Sequence, residues 1–78
     1  MKSKLQIIFE KELNVTADEW SALINYGYAD QYYGCDDILQ WQRKMREAMM
    51  EDEGLEMELG EYIFLGNDKN LIINVLNR

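Results

Sequence analysis

The run Tyr62-Ile63-Phe64-Leu65-Gly66-Asn67-Asp68-Lys69-Asn70-Leu71-Ile72-Ile73-Asn74-Val75-Leu76 decides the fold class. Tyr62–Leu65 is apolar throughout. Gly66–Asn70 is turn chemistry. Leu71, Ile73 and Val75 then alternate with Ile72, Asn74 and Leu76, the period-2 pattern of a strand. The spacing predicts an antiparallel hairpin pairing about 61–65 with 71–76. Upstream, Leu55, Met57 and Leu59 alternate with Glu56, Glu58 and Gly60, as a continuation of that hairpin or as a third strand.

Helical signals precede the hairpin. The Thr16 hydroxyl can accept from the Glu19 amide while the Glu19 carboxylate reaches back to the Thr16 amide, a capping box. Val15 and Trp20 stand at the positions of a hydrophobic staple. Trp20, Leu23 and Ile24 supply a buried stripe, and Gly27 a C-terminal stop. Residues 3–13 fit either a helix through Leu5, Ile8, Phe9 and Leu13 or a strand through Leu5, Ile7 and Phe9. Their Lys, Gln, Glu and Leu content favours helix. The stretch 26–35, with tyrosines between two glycines, reads as a loop with room for one helical turn. A longer helix follows: Asp36 and Asp37 suit its first turn, and Ile38, Trp41, Met45, Ala48 and Met49 form one apolar face. It is expected to end near Glu53, with Gly54 just beyond. Glu51, Asp52 and Glu53 in its last turn would oppose the helix dipole, a local rule broken without visible compensation. The expected fold class is therefore α+β, a single compact domain over 1–78, with two to three helices followed by a C-terminal antiparallel β-hairpin or small sheet.

Composition excludes much. The 78 residues carry 8 Lys+Arg against 15 Asp+Glu, a net charge of −7, with no His, no Pro and one Cys. Without histidine there is no Ser-His-Asp triad, no Cys-His pair and no imidazole metal ligand. One cysteine allows no internal disulfide and no thiolate metal site. Cys35 also lies beside Asp36 and Asp37, which raise a thiol pKa, although a helix N-terminus pulls the other way. A hydrolase built on paired carboxylates needs a cleft that so thin a core hardly provides. The acids of 51–61 do not follow the EF-hand pattern. No Asp-Ser-Leu tripeptide offers the attachment point of an acyl carrier. The expectation is a non-enzyme with no cofactor.

The N-terminal Met-Lys-Ser-Lys is followed by too short an apolar run for a signal peptide, and no run approaches the length of a membrane span. The expected location is the cytoplasm of a bacterial host cell, where the Asn14-Val15-Thr16 sequon has no consequence.

The acids are distributed in blocks. Between Glu12 and Gln42 there are six and no Lys or Arg, and between Glu47 and Glu61 there are seven and none. Such a surface repels phosphate backbones and anionic lipid, so neither direct nucleic-acid nor membrane binding is expected. It attracts basic partners. Tyr26, Tyr28, Tyr32 and Tyr33 lie among Asp30, Asp36 and Asp37, and aromatic–acid surfaces suit arginine-rich partners because guanidinium both stacks and pairs. Two contact sets follow: Asp30, Tyr32, Tyr33, Asp36 and Asp37, and then Glu47, Glu51, Asp52, Glu53, Glu56, Glu58 and Glu61.

Those same residues, the acid run from Glu47 to Glu61 and the Tyr–Asp stretch 26–37, give the chain its resemblance to the small acidic inhibitors of phages and mobile elements, the anti-CRISPR proteins above all. The resemblance spans the whole chain as a pattern and contains no shared motif. That class has no common fold, so no residue role transfers by position. It implies binding to a Cas effector or similar nucleic-acid enzyme and occlusion of its DNA or guide-RNA site.

Two other readings remain open. Helices followed by a hairpin are the order of a winged-helix regulator, with Arg43, Lys44 and Arg46 facing phosphates, although a link of about nine residues exceeds a helix-turn-helix turn. A homo-oligomeric accessory protein, such as a homodimer, could use Trp41, Met45, Met49, Met50 and a free sheet edge.

Overall fold

The computed structural model describes residues 2–50 and 64–78. Helix α1 spans Lys4–Leu13, α2 Ala17–Asn25, a 3-10 helix Ala29–Gly34, α3 Ile38–Met50 and α4 Asp68–Leu76. No strand occurs among the described residues.

Helices α1, α2 and α3 begin where a side chain supplies an acceptor for an orphan amide. Ser3 Oγ accepts from the Gln6 amide at 3.1 Å. The box at α2 forms as predicted: Thr16 Oγ1 accepts from the Glu19 amide at 3.1 Å and Glu19 Oε1 from the Thr16 amide at 2.9 Å. Val15 is buried and Trp20 packs against the core on either side of it. Asn14 closes α1 in the left-handed region at φ 52°, a conformation Asn tolerates. Gly27, at φ 76°, turns the chain out of α2 where a stop was expected.

Of the two readings of 3–13, the helical one holds: Leu5, Phe9 and Leu13 are buried and Ile8 half-buried. Phe9 is fully buried, its ring edge-on to Trp20, Tyr32 and Trp41 at centroid distances of 5.4, 5.7 and 4.7 Å. One ring from α1 thus touches α2, the 3-10 helix and α3, and such contacts add about 0.5–1.5 kcal/mol each beyond area burial. The Trp41 indole N–H donates to the Tyr28 carbonyl at 2.9 Å, so its one polar group is satisfied inside the core. The expected stripe of α2 is shifted. Glu19, Ala22 and Leu23 are buried, and Ile24 faces outward.

The hairpin expectation, and with it the α+β class, is overturned. Residues 71–76, expected to be its second strand, lie inside α4; Phe64 and Leu65, expected in its first, are irregular backbone. Residues 61–63, the possible strand 55–59 and the expected helix end near Glu53 lie outside the described residues. The physical reason is a second periodicity hidden in the same letters. Ile72, Val75 and Leu76 stand at i, i+3 and i+4, all three are buried, and α4 lies against both α2 and α3. Two neighbours leave more than one side of α4 covered, so Leu71 and Ile73 are half-buried too. An apolar run covered on several sides loses the clean contrast that separates helix from strand.

Side chains of α3 then complete the end of α4. The Gln42 amide donates to the Val75 carbonyl at 3.0 Å and the Arg46 guanidinium to the Leu76 carbonyl at 2.7 Å. These carbonyls are among the last four of the helix, beyond the reach of its own i+4 amides, and that of Val75 also accepts from the Arg78 amide at 3.4 Å. At its start, the Tyr26 hydroxyl donates to Asp68 Oδ2 and accepts from the Leu65 amide, both at 2.8 Å. The Tyr26 ring lies 4.8 Å from that of Phe64. With α4 in place of a strand, the winged-helix order loses the expected wing, and the homo-oligomer reading loses its sheet edge among the described residues.

Candidate functional site

The 3-10 helix places the first predicted contact set. With three residues per turn, side chains at i and i+3 eclipse, so Asp30 and Tyr33 share one face. Tyr32 points the other way: it is half-buried, with its ring against Phe9. Tyr32 therefore anchors the turn, and Tyr33 is held outward at 75% exposure. Tyr26 and Tyr28, also counted in the tyrosine-rich stretch, are buried.

Asp36 and Asp37 follow, both exposed, but they are not equivalent. Asp37 Oδ1 accepts from the Gln40 amide at 2.8 Å and so caps α3. The Gln40 side chain in turn accepts from the Asp36 amide. Among the described residues the Asp36 carboxylate makes no bond of this kind, whereas that of Asp37 is committed to the helix. Asp30 and Tyr33 thus form an acidic–aromatic face on the 3-10 turn, and the exposed Asp36 follows it past the extended Cys35, on a stretch held by Tyr32 in the core and by the start of α3. Lys44 reaches this stretch as well, its Nζ 3.4 Å from the Gly34 carbonyl. Cys35 is half-exposed within it, Sγ 3.5 Å from the Gln31 carbonyl.

Glu47 is exposed on α3, ten residues beyond Asp37 and about 15 Å further along the axis, so it does not join this face. Glu51, Asp52, Glu53, Glu56, Glu58 and Glu61 lie outside the described residues. The supposed basic cluster is divided. Arg46 caps α4, Lys44 approaches Gly34, and Arg43 is exposed. Of the suggested self-interface, Trp41 and Met45 are buried and Met49 is half-buried, leaving Met50.

Sequence reasoning gave Arg46 a phosphate-facing role rather than that of a cap on α4, and did not single out Arg78. Besides Arg46, Arg78 forms a two-pronged ion pair with Glu19 at 2.7 and 2.6 Å and donates to the Leu13 carbonyl at 3.2 Å. Nothing local marks either role, since the partners are 30 and 59 residues away.

Chemically the face offers carboxylate acceptors and one π-surface. No cluster of three His, Cys, Asp or Glu positioned to hold a metal occurs among the described residues. Among the same residues, no helix is long and apolar enough to cross a membrane. The chain matches no protein-family model, and no curated protein or solved structure is significantly similar to it.

Proposed function

We propose that this chain is a small protein-binding inhibitor whose acidic–aromatic face occupies a basic, nucleic-acid-binding groove on a partner. The carrying observation is Tyr33, three-quarters exposed beside Asp30 on one face of a 3-10 turn whose other tyrosine is anchored in the core. A tyrosine held outward on a fixed turn is pre-organised for contact, and tyrosine is enriched at interface centres. A guanidinium stacked on Tyr33 would pair with Asp30 or Asp36, the geometry that favours Arg over Lys. The resemblance to anti-CRISPR inhibitors names a Cas effector or similar nucleic-acid enzyme as the partner class. The net charge of −7 speeds encounter with such a groove and disfavours direct binding to DNA.

The test is capture of the partner from the native host, followed by competition against labelled nucleic acid. Wild type should displace the nucleic acid. The Asp30→Asn/Tyr33→Ala/Asp36→Asn variant should need at least about tenfold more protein, since loss of one interface hot spot costs about 2 kcal/mol. Asp37 is spared because it caps α3. Mimicry fails for this face if the variant competes as well as wild type, or if the captured partner keeps its nucleic acid at saturating inhibitor.

A further inference from the structure

We infer that α3 carries a second interaction surface, the stripe Leu39–Arg43–Met50, and that its occupant is the acidic–aromatic face of a second copy of this chain. These residues stand at i, i+4 and i+11 and so share one side of the helix. The buried side is formed by Trp41, Gln42 and Met45. Leu39 is 71% and Met50 86% exposed. Single exposed apolar residues are ordinary, but here two flank an exposed guanidinium along one stripe of about 16 Å.

Charge complementarity selects the occupant. Of the described arginines, Arg46 is bonded to the Leu76 carbonyl and Arg78 to Glu19, while Arg43 is exposed. Asp30, Tyr33 and Asp36 present what a guanidinium recognises, two carboxylates and a ring. Among the described residues no ion pair joins Arg43 to them. Lys44 is the residue that α3 turns toward the 3-10 helix, and Arg43 stands about 100° around the axis from it. The stripe and the face are different surfaces, so the contact is head-to-tail and leaves one of each free at the ends. With −7 on each copy the contact is weak. Beyond about 8 Å the repulsion is screened at physiological salt, while touching groups still attract.

The inference rests on the proposed face as an arginine acceptor, and its test separates the two. Sedimentation equilibrium up to about 1 mM protein, where weak contacts register, should give wild type a mass that rises with concentration. Leu39→Ser/Arg43→Gln and Asp30→Asn/Tyr33→Ala/Asp36→Asn should each associate at least about tenfold more weakly, with unchanged helical circular dichroism. Mixed in equal amounts, the two variants retain one intact stripe and one intact face between them, so they should form a 1:1 dimer and nothing larger. A wild type monomeric throughout, a stripe variant that associates like wild type, or a mixture that stays monomeric overturns the inference. In the first case the stripe is covered by other chemistry or left to solvent. Leu39→Ser/Arg43→Gln leaves the acidic face intact, so its loss of self-association with normal competition for the partner would leave the inhibitory reading standing.

Discussion

Glu19 is bound from two directions. Its Oε1 accepts from the Thr16 amide, and both its oxygens accept from Arg78. The Arg78 guanidinium, chiefly through those hydrogen bonds, holds the Glu19 carboxyl below the usual carboxylate range, against a burial effect that pushes it up. A carboxyl depressed in the folded state contributes stability above its unfolded pKa, and that stability is lost as pH falls through the folded value. The window therefore opens near the ordinary carboxylate value of about 4.3 and extends downward. Glu19→Gln keeps an acceptor for the Thr16 amide but removes the charge. It is expected to cost about 1–2 kcal/mol at pH 7 and to lose less stability than wild type on acidification below about pH 4.5. Urea unfolding of both proteins between pH 3 and 7 checks this, and equal acid slopes would assign the pH dependence to other carboxyls. Half of this arrangement was legible in the sequence. The Thr16–Glu19 spacing encodes the cap, but no local pattern ties Arg78 to Glu19. Asp37 and Asp36 repeat the lesson, for both looked like partner contacts and only the hydrogen bond to Gln40 separates the cap from the free carboxylate.

At the scale of elements, α3 is legible in the sequence, the stripe of α2 only in part, and α4 not at all. The expected apolar face of α3, Ile38, Trp41, Met45, Ala48 and Met49, is the side that packs. Helix α4 is short and covered by two neighbours, so Asp68-Lys69-Asn70-Leu71-Ile72-Ile73-Asn74-Val75-Leu76 satisfies both periods. Its β-branched residues lean toward strand, and the tie is broken by groups distant in the chain. Arg46 is one of these, a cation at a helix C-terminus bonded to a terminal carbonyl. Arg46→Met keeps the apolar stem and the helix propensity of α3 while removing the donor. It should cost about 1–2 kcal/mol, and amides of α4 should lose hydrogen-exchange protection before those of α1 and α2. Arg46→Lys, which restores the charge without the fork, should recover part of the loss. Uniform loss of protection across the chain would mean that α4 has no separate opening and that the Arg46 bond acts only through the global equilibrium.

At the scale of the whole molecule, the described elements meet around very few side chains. Phe9, Leu23, Tyr28, Trp41, Ile72, Val75 and Leu76 are the largest fully buried ones, and they come from α1, α2, the segment before the 3-10 helix, α3 and α4. A domain of this length has a total stability of about 4–12 kcal/mol, so the loss of one central ring is a large fraction of it. Phe9 is the test case because its ring is edge-on to Trp20, Tyr32 and Trp41 at once. Phe9→Ala removes those contacts and opens a cavity, for a cost of about 3–5 kcal/mol. Phe9→Leu keeps most of the volume and should cost about half as much. The consequence reaches the binding face, because Tyr32 is the anchor of the 3-10 turn and Phe9 is the wall it leans on. The Leu variant should therefore stay folded by far-ultraviolet circular dichroism and yet compete less well for a partner than its stability alone allows, since Tyr33 would no longer be held outward on a fixed turn. A Phe9→Leu protein with reduced stability but wild-type competition would show instead that the face orders on contact, and that the rigidity of the 3-10 helix contributes nothing to binding.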